Sequence, residues 1–347
     1  MKSFDSNNFG KEFVFLPDAT KAAVKGLTNI QLLATGTHSI VVNTLHLLIS
    51  IGEERIRDLG GVHEFMNWDG TVLSDSGGFQ VFSLIHTGKW KGKISEDGAV
   101  FRSPIDGSEY VLTPEKSIDM QMSLGSDVLV VLDDCRKAVT TRKEAERSVD
   151  LTIRWAERAK NHFIKKYSSV ERENKLLSAV VQGANFYDLR YKCANHLVEM
   201  GFDGYNFGGY LLDDNGDLVV DQLQVVADNT PEDKFRYGMG VGKPEDIIEC
   251  AKCGYKVFDT VIPTRNARHG TLYSSDLPDT VLRIGNSEYS TDLKKIDSNC
   301  DCELCKNHSR AYLHHLLKQK EMTGMTLATI HNLRYYQRLI EKLNSTD

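Results

Sequence analysis

"TVLSDS", residues 71–76, is a short apolar run that ends on a carboxylate and leads into the glycines of "SDSGGFQVFS" (74–83). Runs of this kind, β-branched and closed by polar residues or glycine, read as buried strands. The same pattern recurs at "FVFLP" (13–17), "SIVVNT" (39–44), "DVLVVLDD" (127–134) and "SAVVQG" (178–183), and again at "GYNFGG" (204–209), "RYGMGV" (236–241) and "KVFDTV" (256–261). Helix-length amphipathic segments lie between them, among them "PEKSIDMQMSLG", "TRKEAERSVDLTIRWAERAKNHFIKK" and "KPEDIIECAKCG". Eight β-α alternations predict an α/β fold of the TIM (β/α)8 barrel type.

That fold builds its site from residues at the C-terminal ends of the strands. Those ends carry Asn43, Asp75, Asp133, Gln182, Gly208, Gly209, Met239 and Asp259. Three carboxylates and an amide at one mouth suit a pocket that reads a polar ring and moves protons. Ser76 is the rival to Asp75, since D-S-G-G also surrounds the nucleophilic serine of chymotrypsin-like proteases. That reading needs an all-β scaffold with a partner His and Asp, and it lacks the Gly and Pro that flank the protease motif. Asp75 is therefore preferred, with the glycines letting the backbone turn close to a ligand.

The chain has 347 residues, 42 Lys and Arg against 48 Asp and Glu, and a formal net charge of −6. A negative total argues against nucleic-acid binding over the whole surface. Between Lys306 and Lys342, however, Lys306, Arg310, Lys318, Lys320, Arg334, Arg338 and Lys342 face only Glu321 and Glu341. That stretch is either a basic face or an ordinary solvated helix. "KWKGK" (89–93) is likewise either an RNA contact or an exposed loop. There is no apolar run of membrane-spanning or signal-peptide length, so a cytoplasmic protein is expected.

Of seven cysteines, three crowd into "CDCELC", which favours a metal site over disulfides. Cys300, Cys302 and Cys305 with His331 offer three thiolates and an imidazole, the donors of a closed structural zinc site. His308 is nearer in sequence but only three residues past Cys305, and His314 and His315 fall in a helical stretch. Cys250 and Cys253 form a CxxC in a predicted helix with no second pair nearby, and read as buried helical cysteines.

Taken in order, "NTLHLL", "SDSGGFQVFS", "FRSPIDGS", "LTPEKSI", "VVQGANFYDLR", "MGVGKPEDI", "FDTVIPTRNARHG" and "CDCELC…SRAYLHHL…TIHN" resemble the tRNA-guanine transglycosylases, or queuine tRNA-ribosyltransferases, over nearly the whole chain. The resemblance implies exchange of the wobble guanine of tRNAs with GUN anticodons for a 7-deazaguanine, either queuine or its aminomethyl precursor, without cutting the RNA. It implies Asp259 as nucleophile and Asp75 as general acid/base. Asp133, Gln182, Gly208, Gly209 and Asn43 are implied as base-binding groups, Phe79 and Met239 as stacking walls, and Arg265 and Arg268 as tRNA contacts. It also implies one structural Zn2+ per chain on Cys300, Cys302, Cys305 and His331, a barrel over 1–285, a zinc subdomain with a closing helix over 286–347, and a homodimer. Departures from the bacterial pattern are "GGYLLDDNGD" from Gly208, with Leu212, Asp213 and Asp214, together with "LDDC" (132–135), Leu45 and Thr260. The alternatives are a non-catalytic RNA-binding paralogue and a barrel glycoside hydrolase, the second having no use for the Cys3His set.

Overall fold

The computed structural model describes residues 4–86, 91–102, 107–136, 140–213, 215–277 and 280–346. Strands β1 (Val14–Pro17), β2 (Ser39–Val42), β3 (Thr71–Ser74), β4 (Val128–Val130), β5 (Leu176–Val181), β6 (Gly204–Phe207), β7 (Phe235–Gly238) and β8 (Val257–Thr260) pair in parallel as one sheet. They run in the order β1-β8-β7-β6-β5-β4-β3-β2. The two ends of this series also meet, because Asp18 bridges to Val41 in parallel and the Ala19 amide donates to the Val41 carbonyl at 2.7 Å. The sheet closes into the expected barrel and has no free edge.

Successive strand residues face opposite sides. Leu16, Val41, Leu73, Val128, Val130, Val180, Phe235, Tyr237 and Val257 form one buried cluster that fills the barrel. Their neighbours Phe15, Val42, Val72, Leu129, Val181, Phe207 and Phe258 belong to the larger cluster shared with the helices outside. Those helices begin where the sequence supplies caps: Thr113 before Pro114–Ser123, and Thr141 with Glu144 as a capping box before Arg142–Lys166.

The strands outnumber the eight read from the sequence. Gly92–Ser95, Gly98–Arg102 and Glu109–Leu112 make an antiparallel sheet between β3 and β4, and Thr271–Tyr273 pairs with Val281–Arg283. These strands are short and partly exposed, so they carry none of the continuous apolar signal of the barrel strands. Of "KWKGK", Lys89 and Trp90 lie outside the described residues, and Gly92 and Lys93 start the first of these strands. In the basic C-terminal stretch the arginines are paired, while Lys306, Lys318, Lys320 and Lys342 are exposed. Arg310 pairs with Asp292, Arg334 with Asp301 and Glu341, and Arg338 with Asp297.

The last helix, Met322–Thr346, is docked on the barrel by polar clamps as well as apolar packing. Tyr336 donates to the Gly242 carbonyl at 2.6 Å, and Gln337 donates to the Phe15 carbonyl and to Thr37. Asn344 accepts from the Phe13 amide at 2.7 Å and returns a bond to the Phe13 carbonyl at 3.0 Å, just ahead of β1. Asn344→Ala removes both partners from one part-buried backbone unit and is expected to cost about 1–3 kcal/mol in denaturant unfolding. An unchanged midpoint would mean that apolar packing alone holds the helix end.

Candidate active site

One two-residue step beyond the apolar layer, the strands turn polar except at Met239. Leu16 is followed at that spacing by Asp18, Val41 by Asn43, Leu73 by Asp75, Val180 by Gln182, Tyr237 by Met239 and Val257 by Asp259. All six of these residues line a cavity of about 540 Å³, together with Asp133, Phe79, Gly209, Tyr210, Leu212 and Arg265. Strand β4 is the exception to the spacing, as Asp133 lies three residues past Val130.

Asp75 is held by the start of the helix Thr44–Ser50. Its Oδ1 accepts from the amides of Thr44 (2.9 Å) and Gly77 (3.1 Å), and its Oδ2 from Asn43 (2.5 Å) and Gln80 (3.3 Å). Asn43 caps that helix by accepting from the His46 amide at 2.8 Å, which leaves its NH2 to face Asp75. Gly77 reaches Asp75 with φ +78°, a conformation that favours glycine, and a Cβ there would lie 3.2 Å from the Leu45 amide nitrogen. Burial nevertheless dominates over these donors, and with the charges of Asp18 and Asp259 it pushes the Asp75 carboxyl up to about 7.

Asp259 accepts from the Tyr237 hydroxyl at 2.7 Å and the Gly240 amide at 2.8 Å, both on Oδ1. Its Oδ2 has no such bond among the described residues. Burial, opposed by those two donors, raises it to about 6. Asp133 accepts from Gln182 at 2.7 Å, and burial with the adjacent Asp134 charge raises it to about 7. Asp134 turns the other way to pair with Arg136 at 2.7 Å. Phe79, half exposed, meets Tyr210 edge-on with ring centroids 6.5 Å apart.

Gly208 and Arg268 do not line the cavity. The Gly208 amide is spent on the Val181 carbonyl at 3.0 Å, and its own carbonyl accepts from the buried Arg190 guanidinium. Arg190 also donates to the carbonyls of Val181 and Ala184 and to Gln222, while it lies 4.1 Å over the Phe207 ring. It thus fixes the strand ends that present Gln182 and Gly209. Gly183 is required beneath it, because a Cβ there would stand 2.6 Å from the Arg190 amide nitrogen. Arg265 is exposed at the cavity, and Arg268 donates to the Thr264 carbonyl; both lie on the helix Ile262–Arg268 rather than in a loop. Ser76 is buried and accepts from the Gly78 amide, which suits a turn rather than a nucleophile. Cys135 lines the cavity, but burial pushes its thiol up, so it stays protonated. Asp214 lies outside the described residues. Asp18, Tyr237, Tyr210 and Arg190 were not identified from the sequence.

The Cys300, Cys302, Cys305 and His331 ligand atoms are buried and lie within 4.8 Å of one another, so the cluster could hold a metal ion. His331 Nε2 meets the Tyr273 carbonyl at 2.6 Å, while Nδ1 faces Cys302 and Cys305 at 3.5 and 3.3 Å. A ring tethered by one nitrogen and presenting the other to thiols is the arrangement of a metal ligand. His308 instead stacks on Tyr312, and His314 bonds to the Ile284 carbonyl. Cys250 and Cys253 are buried, as expected of helical cysteines, and burial raises both thiols.

A sequence model of the family described as Queuine tRNA-ribosyltransferase matches residues 10–345. The chain is 45% identical over 331 residues to a protein of that name from Psychrobacter cryohalolentis, covering 95% of this chain and 84% of the relative. It is 46% identical over 329 residues to one from Shewanella halifaxensis, with 95% and 84% covered. A third, from Acinetobacter baylyi, is 44% identical over 328 residues, with 94% and 82% covered.

The raised Asp75 carboxyl has a consequence for stability. With a folded value of about 7 against an ordinary 3.8, the folded state holds this proton more tightly than the unfolded chain does. That contribution is complete below pH ~4 and is lost as the pH rises through ~7. Asp75→Asn cannot titrate. Its unfolding free energy relative to wild type is expected to improve by ~1–4 kcal/mol between about pH 4 and about pH 8. Denaturant titrations at the two pH values measure this, and a difference independent of pH would mean that Asp75 ionises normally.

Proposed function

This chain belongs to the queuine tRNA-ribosyltransferase family, and from that premise we propose that it is a tRNA-guanine transglycosylase acting on the wobble guanine of tRNAs with GUN anticodons. The observation that carries the reading is the convergence of Asp75, Asp133 and Asp259 on one cavity. A non-catalytic RNA-binding relative would have no use for three desolvated carboxyls.

Asp259 attacks C1′ of the wobble nucleotide through Oδ2. The C1′–N9 bond breaks, its electron pair leaves with guanine, and Asp75 supplies the proton that guanine takes up. Asp75, now a carboxylate, accepts the proton of the incoming 7-deazaguanine, whose nitrogen displaces Asp259 from C1′ and restores the starting configuration. The two carboxyls suit these roles near neutral pH, where one near 6 is largely ionised and one near 7 retains much of its proton. Asp133, tied to Gln182, accepts from the ring and exocyclic N–H groups of guanine, and Gly209 lies on the carbonyl side. Phe79 and Met239 enclose the ring, Asn43 orients Asp75, and Arg265 and Arg268 meet the anticodon loop from the helix after β8.

The Cys3His donor set fits Zn2+, and three thiolates with one imidazole leave no ligand position for substrate. Bound zinc supplies structural cross-linking only. We place the barrel at 1–285 and the zinc subdomain with its closing helix at 286–347. A homodimer in the cytoplasm, one subunit catalysing while the other helps hold the tRNA, completes the reading.

Two outcomes follow. Cys302→Ala is expected to lose its zinc in elemental analysis and to unfold at lower temperature, and full metal retention would move the site elsewhere. Wild-type enzyme with tRNA and a base analogue unable to complete the second displacement is expected to give a denaturation-resistant protein–RNA complex. Asp259→Ala should give none. Near wild-type exchange of labelled guanine by Asp259→Ala would rule out the covalent mechanism.

A further inference from the structure

The cavity holds a fourth carboxylate that this mechanism does not use. Asp18 follows β1 at the barrel mouth, beside the strand that carries the nucleophile: Leu16 pairs with Asp259 and Pro17 with Thr260. Asp18 itself bridges to Val41 on the other side. Its Oδ1 accepts from the Thr20 amide at 2.5 Å and from the Thr20 hydroxyl, which locks the carboxylate in place. Among the described residues, Oδ2 has no hydrogen-bond partner and Asp18 has no ion pair. A carboxylate oxygen held in a partly buried cavity without a donor is best satisfied by a ligand that supplies one.

The chemistry of an intact polynucleotide limits what that donor can be. In the wobble nucleotide O3′ and O5′ are esterified and C1′ carries the base, so the sugar has a single hydroxyl, at C2′, one bond from the reacting carbon. Resting on the transglycosylase reading above, we propose that Asp18 accepts a hydrogen bond from the 2′-hydroxyl of the wobble nucleotide and thereby selects ribose over deoxyribose in the transition state. As positive character develops at C1′ the 2′-hydroxyl becomes a stronger donor. The bond to Asp18 therefore tightens on the way to the transition state, an effect known to assist glycosidic cleavage. The 2′-hydroxyl is also the group by which a protein distinguishes RNA from DNA at a given nucleotide.

The test uses full-length enzyme and two anticodon stem-loops of identical sequence, one with guanosine and one with 2′-deoxyguanosine at the wobble position. Exchange of labelled guanine gives kcat/KM for each, and the ratio of the two is compared among wild type, Asp18→Asn and Asp18→Ala. Removing the 2′-hydroxyl changes the intrinsic lability of the C1′–N9 bond, but that change cancels between enzymes. Asp18→Ala is expected to lower the ribo-to-deoxy ratio by roughly 10- to 100-fold, the worth of one hydrogen bond to a charged group. Asp18→Asn keeps the Oδ1 acceptor for Thr20 and so preserves the turn, and its ratio should fall between the two. If the ratio is unchanged in both folded variants while wild type exchanges guanine, the role of Asp18 is overturned and the transglycosylase reading stands. If wild type exchanges guanine in neither RNA, the transglycosylase reading itself fails and takes the role of Asp18 with it.

Discussion

Everything at the site stands on the dry layer that fills the barrel. Leu16, Val41, Leu73, Val180 and Val257 are packed in a buried apolar cluster beneath the mouth, so the next inward residues on their strands are carboxylates and amides with an apolar floor. Burial is the first cause of the upward shift at Asp75, Asp133 and Asp259 alike. In water these groups would be fully ionised at neutral pH and could not share proton donation and nucleophilic attack between them. The floor therefore supplies what the proposed mechanism needs, and the strand period of two delivers the side chains to it.

Against the shared effect of burial, each of the three carboxyls is set by its own donors and neighbouring charges. Asp259 is held by the Tyr237 hydroxyl and the Gly240 amide on a single oxygen, and burial raises it to about 6. Asp75 has more donors, including the first turn of a helix, yet two neighbouring carboxylates raise it further. Asp133 has one side-chain donor, Gln182, and Asp134 next to it. Both acids are raised by burial towards neutral pH, which is what the proposed division of labour between Asp259 and Asp75 requires.

The barrel and most of the site were legible because both rest on short-range periodicity. Eight apolar runs gave the strands, and their ends gave Asn43, Asp75, Asp133, Gln182 and Asp259. What escaped depended on register or on burial that composition hides. "FVFLP" reads as a strand ending at Pro17, so Asp18 fell one residue outside it, although counting by twos from Leu16 reaches it. Tyr237 looks like core, and only the alignment of Tyr237 with Val257 brings its hydroxyl to Asp259. Arg190 reads as a surface charge on a helix, whereas its guanidinium is buried against four protein acceptors. In the basic tail, the acids that pair with Arg310, Arg334 and Arg338 are mostly distant in sequence, so the pairing was not legible from the run itself.

The metal cluster is remote from the chemistry in sequence but joined to it by one helix. His331 is tethered to the Tyr273 carbonyl, and the next residue, Asn332, accepts from the Tyr273 amide and donates to the carbonyls of Thr271 and Pro263. Pro263 lies four residues past Asp259, in the short helix that carries Arg265. One turn further along, Tyr336 holds the Gly242 carbonyl, two residues beyond the Gly240 amide that binds Asp259. A ligand set closed around His331 would therefore restrain the backbone on both sides of Asp259. A metal held there would limit where Asp259 and the helix after it can move, a structural role that suits the proposed reaction, which needs no Lewis acid.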